Sequence, residues 1–153
     1  MKKLILALVL GATGTAASAG PVLWQDIEAG MTPEQVQQLY PAGKGVKHGK
    51  GWTSLSGVKV ADCKGHATVE YKGGTVSKVK IFGTGCATRL FTALVGKYGE
   101  PASSDTAKHK LGGFDRKVSL WRAEGRVIRY KGNPESIVSD WELVYQPIDA
   151  EGI

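Results

Sequence analysis

No stretch of this chain is apolar for long enough to cross a bilayer. The run Leu4-Ile5-Leu6-Ala7-Leu8-Val9-Leu10 falls far short of the ~20 residues a spanning helix needs. Cysteine is scarce: Cys63 and Cys86 are the whole complement. Neither stands where a lipoprotein signal would be acylated, and they are too far apart for a C-x-x-C redox motif. The signatures of common catalysts are missing as well, with no G-x-S-x-G, H-E-x-x-H, Walker loop or dinucleotide fingerprint. The scattered histidines read as surface residues. The carboxylate pairs Asp26/Glu28 and Asp140/Glu142 do not read as a glycosidase dyad. On a strand, i and i+2 share a face, where Arg129 or a cross-strand Lys compensates them. No polybasic run marks a membrane surface, and no clustering of basic residues on one element marks a nucleic-acid footprint. These absences lead us to expect a non-enzyme with no cofactor, no nucleic-acid partner and no membrane insertion.

What is present begins with a secretory signal. Lys2 and Lys3 form a positive n-region, the apolar run follows, and Ala17-Ser18-Ala19 fits a small-residue cleavage site. A mature protein starting at Gly20 would be periplasmic or secreted, and the short Lys-Lys signal suits a bacterium. Hydrophobic residues make up 42% and charged residues 22% of the chain, which suits one folded domain. Loss of Lys2 and Lys3 lowers the formal charge from +6 to +4, an excess that looks spread along the sequence.

Two cysteines in an oxidising compartment are expected to pair, and a loop of this length would stabilise the fold by roughly 3 kcal/mol. The alternative is a metal site built on Cys63-Lys64-Gly65-His66 with His48 or His109. It lacks the second ligand pair that zinc sites show, so no metal is expected.

Two helices are signalled. Thr32-Pro33-Glu34-Gln35 combines an N-cap Thr, a Pro at the first helical position and a Gln three residues after the cap; Pro41 ends the helix. A second helix is predicted over about Thr88–Tyr98, with Leu90, Leu94 and Tyr98 on one face and Gly99 as terminator. Strands are predicted after each. Residues 67–72 and 75–82 flank Gly73-Gly74, a strong hairpin signal. Residues 117–122 and 126–131 flank Glu124-Gly125, and 138–145 add a third strand. Val69-Glu70-Tyr71-Lys72-Gly73 echoes Ile128-Arg129-Tyr130-Lys131-Gly132. The expected fold is therefore α+β: two tandem halves of helix plus antiparallel meander (20–85 and 86–148), forming one sheet with helices on one face. Residues 1–19 are the signal and 149–153 a C-terminal tail. Alternation assigns Val69, Tyr71, Val79, Ile81, Ile128, Tyr130, Trp141, Leu143 and Tyr145 to the core. It assigns Glu70, Lys72, Lys78, Lys80, Arg129, Asp140, Glu142 and Trp121 to the opposite face.

The segment Trp24 to Val36, with Gly30-Met31-Thr32 and Val36, resembles the G-M-T-x-x-x-V opening of the beta-lactamase inhibitor protein family. The SmpA/OmlA outer-membrane assembly lipoproteins, which share that fold, open similarly. Cys63-Lys64-Gly65-His66-Ala67 is similar to a segment of the inhibitor's first repeat. The resemblance implies tandem helix-plus-sheet repeats and a concave sheet face that grips a protein. Here the Gly-Met-Thr motif occurs only in the first half, and the one cysteine pair would tie the end of that half to the start of the second. No inhibitory residue is carried over.

The expected function is a protein-binding module, an inhibitor or an envelope assembly factor, using Trp52, Trp121, Arg129, Asp140 and Glu142 on the sheet face, since Trp and Arg are enriched at hot spots. Core packing is an equal alternative for Trp52. The rival functions are a small-ligand carrier with a helix–sheet pocket and a weak hydrolase.

Overall fold

The computed structural model describes residues 20–108, 115–136 and 138–150. The expected signal at 1–19, His109 and the end of the C-terminal tail lie outside the described residues. Two short strands, β1 (Val22–Trp24) and β2 (Ile27–Glu28), pair with each other ahead of helix α1 (Pro33–Leu39). Its N-terminus closes as the sequence predicts. Thr32 accepts the Gln35 N–H at 3.4 Å, and the Gln35 side chain accepts the Thr32 N–H at 2.8 Å. Four strands follow: β3 (Val46–Gly49), β4 (Trp52–Val60), β5 (Cys63–Lys72) and β6 (Thr75–Thr84). Helix α2 (Ala87–Tyr98) ends at Gly99, which has a φ of 79°. Beyond it come β7 (Ser103–Ala107), β8 (Arg116–Ala123), β9 (Arg126–Gly132) and β10 (Asp140–Pro147).

The last eight strands form one antiparallel sheet in the order β3-β4-β5-β6-β10-β9-β8-β7. The sequence reading missed β3, β4 and β7 and began β5 four residues late. Its two hairpins are present. Gly73-Gly74 joins β5 to β6 and Glu124-Gly125 joins β8 to β9, with positive φ at both central residues of each turn, as the type I′ turn requires.

Cross-strand partners point to the same side of a sheet, so the register defines two faces. One row runs Leu55, Ala67, Ile81, Leu143, Tyr130, Ser119 and the next Thr53, Val69, Val79, Tyr145, Ile128, Trp121. The apolar members of both rows belong to one buried cluster with Val36 of α1, Leu90 and Leu94 of α2, and Leu23, Trp24 and Ile27 of the N-terminal strands. The core therefore lies on the helix side of the sheet. Trp141 stands in the neighbouring row opposite Gly83 and Gly132, in a slot made by absent side chains. A Cβ on Gly83 would sit 2.5 Å from its indole, and one on Gly65 would sit 3.0 Å away.

One assignment is corrected. Trp121 was expected on the face away from the helices, but it is paired with Ile128, 2% exposed, and donates its indole N–H to the Gly99 carbonyl at 2.9 Å. The two-residue turn at Glu124-Gly125 fixes this register and places Val118 and Leu120 outward instead.

Cys63 and Cys86 form the expected disulfide, with Cα atoms 5.9 Å apart. It joins the start of β5 to the N-terminus of α2. His66 cannot form a ligand set with Cys63, because the cysteine is consumed and the two side chains lie on opposite faces of β5.

Candidate functional site: the open face of the sheet

The face away from the helices is built from the alternate residues of the same strands. Three of its rows carry the chemistry. Trp52, Glu70 and Lys78 form the first. Ser54, Thr68, Lys80, Val144, Arg129 and Leu120 form the second. Ser56, His66, Phe82, Glu142, Lys131 and Val118 form the third. Of the residues singled out from sequence, Trp52, Arg129, Asp140 and Glu142 lie here and Trp121 does not. They do not converge on one point. Arg129 and Glu142 are neighbours at 3.8 Å. Trp52 is on β4, with β5 and β6 between it and β10, about 14 Å away at the usual strand spacing.

Two large apolar side chains stand out on this face: Phe82 is 50% exposed and Trp52 40% exposed. Trp52 folds its indole over Gly49 of β3, where a Cβ would come within 2.3 Å of the ring. Phe82 is flanked by His66, whose ring centre lies 5.1 Å from its own. Sequence reasoning passed over Phe82, although the alternation that placed Val79 and Ile81 inward already placed it outward.

His66 is held between two hydroxyls, with Nε2 2.9 Å from Ser54 Oγ and Nδ1 3.2 Å from Ser56 Oγ. A serine beside an imidazole is the start of a nucleophilic device. A triad, however, places a carboxylate on the second nitrogen to stabilise the imidazolium, and here that position holds another serine. The arrangement orients the ring. His48 is likewise structural and lies on the helix side. Its Nε2 contacts the Tyr40 carbonyl at 3.1 Å and its Nδ1 contacts Thr53 Oγ1 at 2.9 Å, which in turn is 2.7 Å from the Tyr71 hydroxyl. A carbonyl only accepts, so the neutral ring carries its proton on Nε2. Thr53 then donates to Nδ1 and Tyr71 donates to Thr53. Burial raises the Tyr71 pKa.

Ion pairs cross the open face in three places. Lys78 and Lys80 reach Glu70 at 3.5 and 2.6 Å, Arg129 reaches Glu142, and Arg116 approaches Asp140 at 4.0 Å. Such exposed pairs contribute at most about 1 kcal/mol each. Their sum of charge matters more than their strength. The outward strand positions hold ten basic residues (β3 to β6 supply Lys47, Lys59, Lys64, Lys72, Lys78 and Lys80; β8 and β9 supply Arg116, Arg122, Arg129 and Lys131) against Glu70, Asp105, Asp140 and Glu142. From residue 20 onward the remainder of the chain carries eight basic and ten acidic residues. The charge that looks dispersed in sequence is thus concentrated on one face by strand alternation.

Between β8, β9 and β10 this face has a small pit of about 130 Å³, lined by Leu120, Val127, Arg129, Val144 and Gln146. Val127 and Val144 are 1% and 3% exposed, yet they lie on the side of the sheet opposite the main core. A separate polar cleft of about 390 Å³ lies at the β7 edge, between Ser104, Asp115, Lys117, Asn133 and Glu135. None of its lining residues belongs to a helix. Among the described residues no group of three or more His, Cys, Asp or Glu side chains could hold a metal ion, and no helix is long and apolar enough to cross a membrane.

The sequence matches no protein-family model, and comparison with curated proteins and with solved structures returns no match.

Proposed function

We propose that this protein is an extracytoplasmic, non-enzymatic binding module that engages a protein partner through the open face of its sheet. The observation that carries the reading is the half-exposed Phe82 in the middle of a face that both helices leave uncovered. A large aromatic there costs solvation and contributes nothing to the core, whereas aromatic residues are favoured at protein interfaces. The order of elements supports the resemblance to the beta-lactamase inhibitor protein family. Each helix precedes four antiparallel strands, and the two sets meet edge to edge through β6 and β10. That is the arrangement tandem repeats would give. The disulfide accords with an oxidising compartment.

Position-specific photo-crosslinking tests the reading. A benzophenone side chain at Phe82 or Lys80 should capture one stoichiometric protein from the native envelope fraction, and the same group at Arg89, exposed on α2, should not. Phe82→Ala should weaken capture without lowering the melting temperature. Equal capture from Arg89, or none from the sheet face, would refute the proposal.

A further inference from the structure

We infer that the partner presents an acidic surface whose aliphatic side chain seats in the pit between Leu120, Val127 and Val144 beside Arg129. This rests on the sheet-face reading above and names the chemistry of its partner. Two independent observations carry it: the polarity of charge and the apolar floor of the pit.

Neighbouring strands lie about 4.8 Å apart and same-face residues about 6.6 Å apart. Adjacent cations on the face are thus within the ~8 Å Debye length of physiological salt, and their fields add. Three of the face's four carboxylates already meet a cation of the same face. The surplus is positive, and a complementary surface is negative.

The pit supplies what charge alone does not. The registers place Val144 between Lys80 and Arg129, and Val127 between Arg122 and Gln146. Both valines are almost wholly covered, so the wall the pit offers a partner is Leu120 with the aliphatic stem of Arg129. The pit's volume of about 130 Å³ is close to the roughly 150 Å³ that accepts a benzene-sized group. One Leu, Ile or Met side chain fills it, and Arg129 at its rim is placed to meet a carboxylate beside that side chain.

A nucleic acid fits less well. It has no aliphatic side chain for the pit. A second copy docking face to face would set two positive surfaces against each other.

The test uses the isotope-labelled protein and short synthetic probes at low ionic strength. The first probe is a peptide of Asp and Glu with one central Leu; the others replace that Leu by Ser, replace the acids by Lys, or are a single-stranded oligothymidylate of matching charge. The Leu-bearing acidic peptide should shift the amides of Leu120, Val127 and Val144. The Ser version should bind about tenfold more weakly, and the Lys version not at all. Arg129→Glu should weaken the acidic peptide by at least about tenfold, Arg129→Lys should retain much of its binding, and Leu120→Trp, which fills the pit, should remove the Leu-dependent shifts while melting temperatures hold. Equal binding of the Leu and Ser peptides overturns the pit assignment. Tighter binding of the oligonucleotide, or concentration-dependent shifts at the same amides without any probe, overturns the choice of partner. A protein crosslinked through Phe82 whose capture survives both Arg129→Glu and Leu120→Trp refutes this inference and leaves the sheet-face reading standing. Absence of any crosslink refutes that reading itself.

Discussion

Arg126 offers a sharp test of how the N-terminal strands are held. It lies on the helix side of β9, 7% exposed, and its Nη1 donates to two consecutive carbonyls, Val22 at 2.9 Å and Leu23 at 2.8 Å. Its Nη2 reaches the Tyr98 hydroxyl at 3.2 Å and pairs with the Glu124 carboxylate. One guanidinium therefore ties β1 to the end of α2 and to the β8–β9 turn. Arg126→Met keeps most of the side-chain volume and removes every donor. Each charge-assisted hydrogen bond contributes about 1.5–3 kcal/mol, and each buried carbonyl left unpaired costs about 1–3. Part of that loss is offset, because Met needs no desolvation of charge and Arg126 Nε has no hydrogen-bond partner. The expected net loss is about 3 kcal/mol, a large share of the ~5–15 kcal/mol that holds a domain together. Arg126→Lys should lose nearly as much, since a single ammonium cannot span the two carbonyls and the Tyr98 hydroxyl in one plane.

The loss should also be local. Denaturant melts give the global value, and amide exchange gives the site. The Ala29 N–H, bonded to the Pro21 carbonyl, and the Gly30 N–H, bonded to Val76, should exchange through an opening of the β1–β2 pair well below the global unfolding energy. A Met variant within about 1 kcal/mol of the parent, with unchanged exchange at Ala29, would refute the clamp.

Two other outcomes follow from the same core. Replacing both Cys63 and Cys86 by Ser should cost about 3 kcal/mol in a denaturant melt, since their separation of 23 residues sets the entropy the crosslink removes from the unfolded chain; without reductant neither should react with a thiol reagent. Burial pushes the Tyr130 hydroxyl up to about 12 and raises Tyr145 further. The unfolded chain therefore ionises first, near pH 10, and this contribution is intact below that value. Stability should then fall by about 1.4 kcal/mol per pH unit per tyrosine as the pH rises toward the folded values. Denaturant midpoints across that range should show the slope, and Tyr130→Phe should remove part of it; a flat profile contradicts the burial.

The legible parts of the fold were those with strong local chemistry. The Thr32 capping box, the Leu90/Leu94 stripe and the Gly73-Gly74 turn are local signals, and each produced its element. Strands β3, β4 and β7 were illegible for a common reason. In β4, only Thr53 and Leu55 are buried, among Ser54, Ser56 and Gly57. In β7, Ser103 to Asp105 and Thr106 are all exposed. Such segments, at the edge of the sheet or next to it, become strands by pairing with a neighbour, and their own apolar periodicity is weak. The glycines of the Trp141 slot misled in the same way. Gly65, Gly83 and Gly132 look like interruptions but lie inside strands, each where a Cβ would collide with a neighbouring aromatic ring. Alternation already put Lys72, Lys78, Lys80 and Arg129 on the charged face; the full positive excess was not legible, because Lys47 and Lys59 lie on the unrecognised strands β3 and β4.

Trp121 shows why the candidate site was only half readable. Strand β8 is apolar on both faces, with Val118 and Leu120 on one and Trp121 on the other, so counting apolar residues favours the wrong side. The turn decides otherwise. With Glu124-Gly125 as a two-residue loop, Ala123 must pair with Arg126 and Trp121 with Ile128. Because Ile128 and Tyr130 face the helices, Trp121 must face them too. The same step sends Leu120 outward beside Arg129 and leaves Val127 facing away from the core. One register choice therefore does two things: it buries the tryptophan that looked like an anchor, and it opens the apolar pit into which a partner's anchor can fit. A shift by one residue would invert both. The binding proposal and the packing of the second helix thus depend on the same turn.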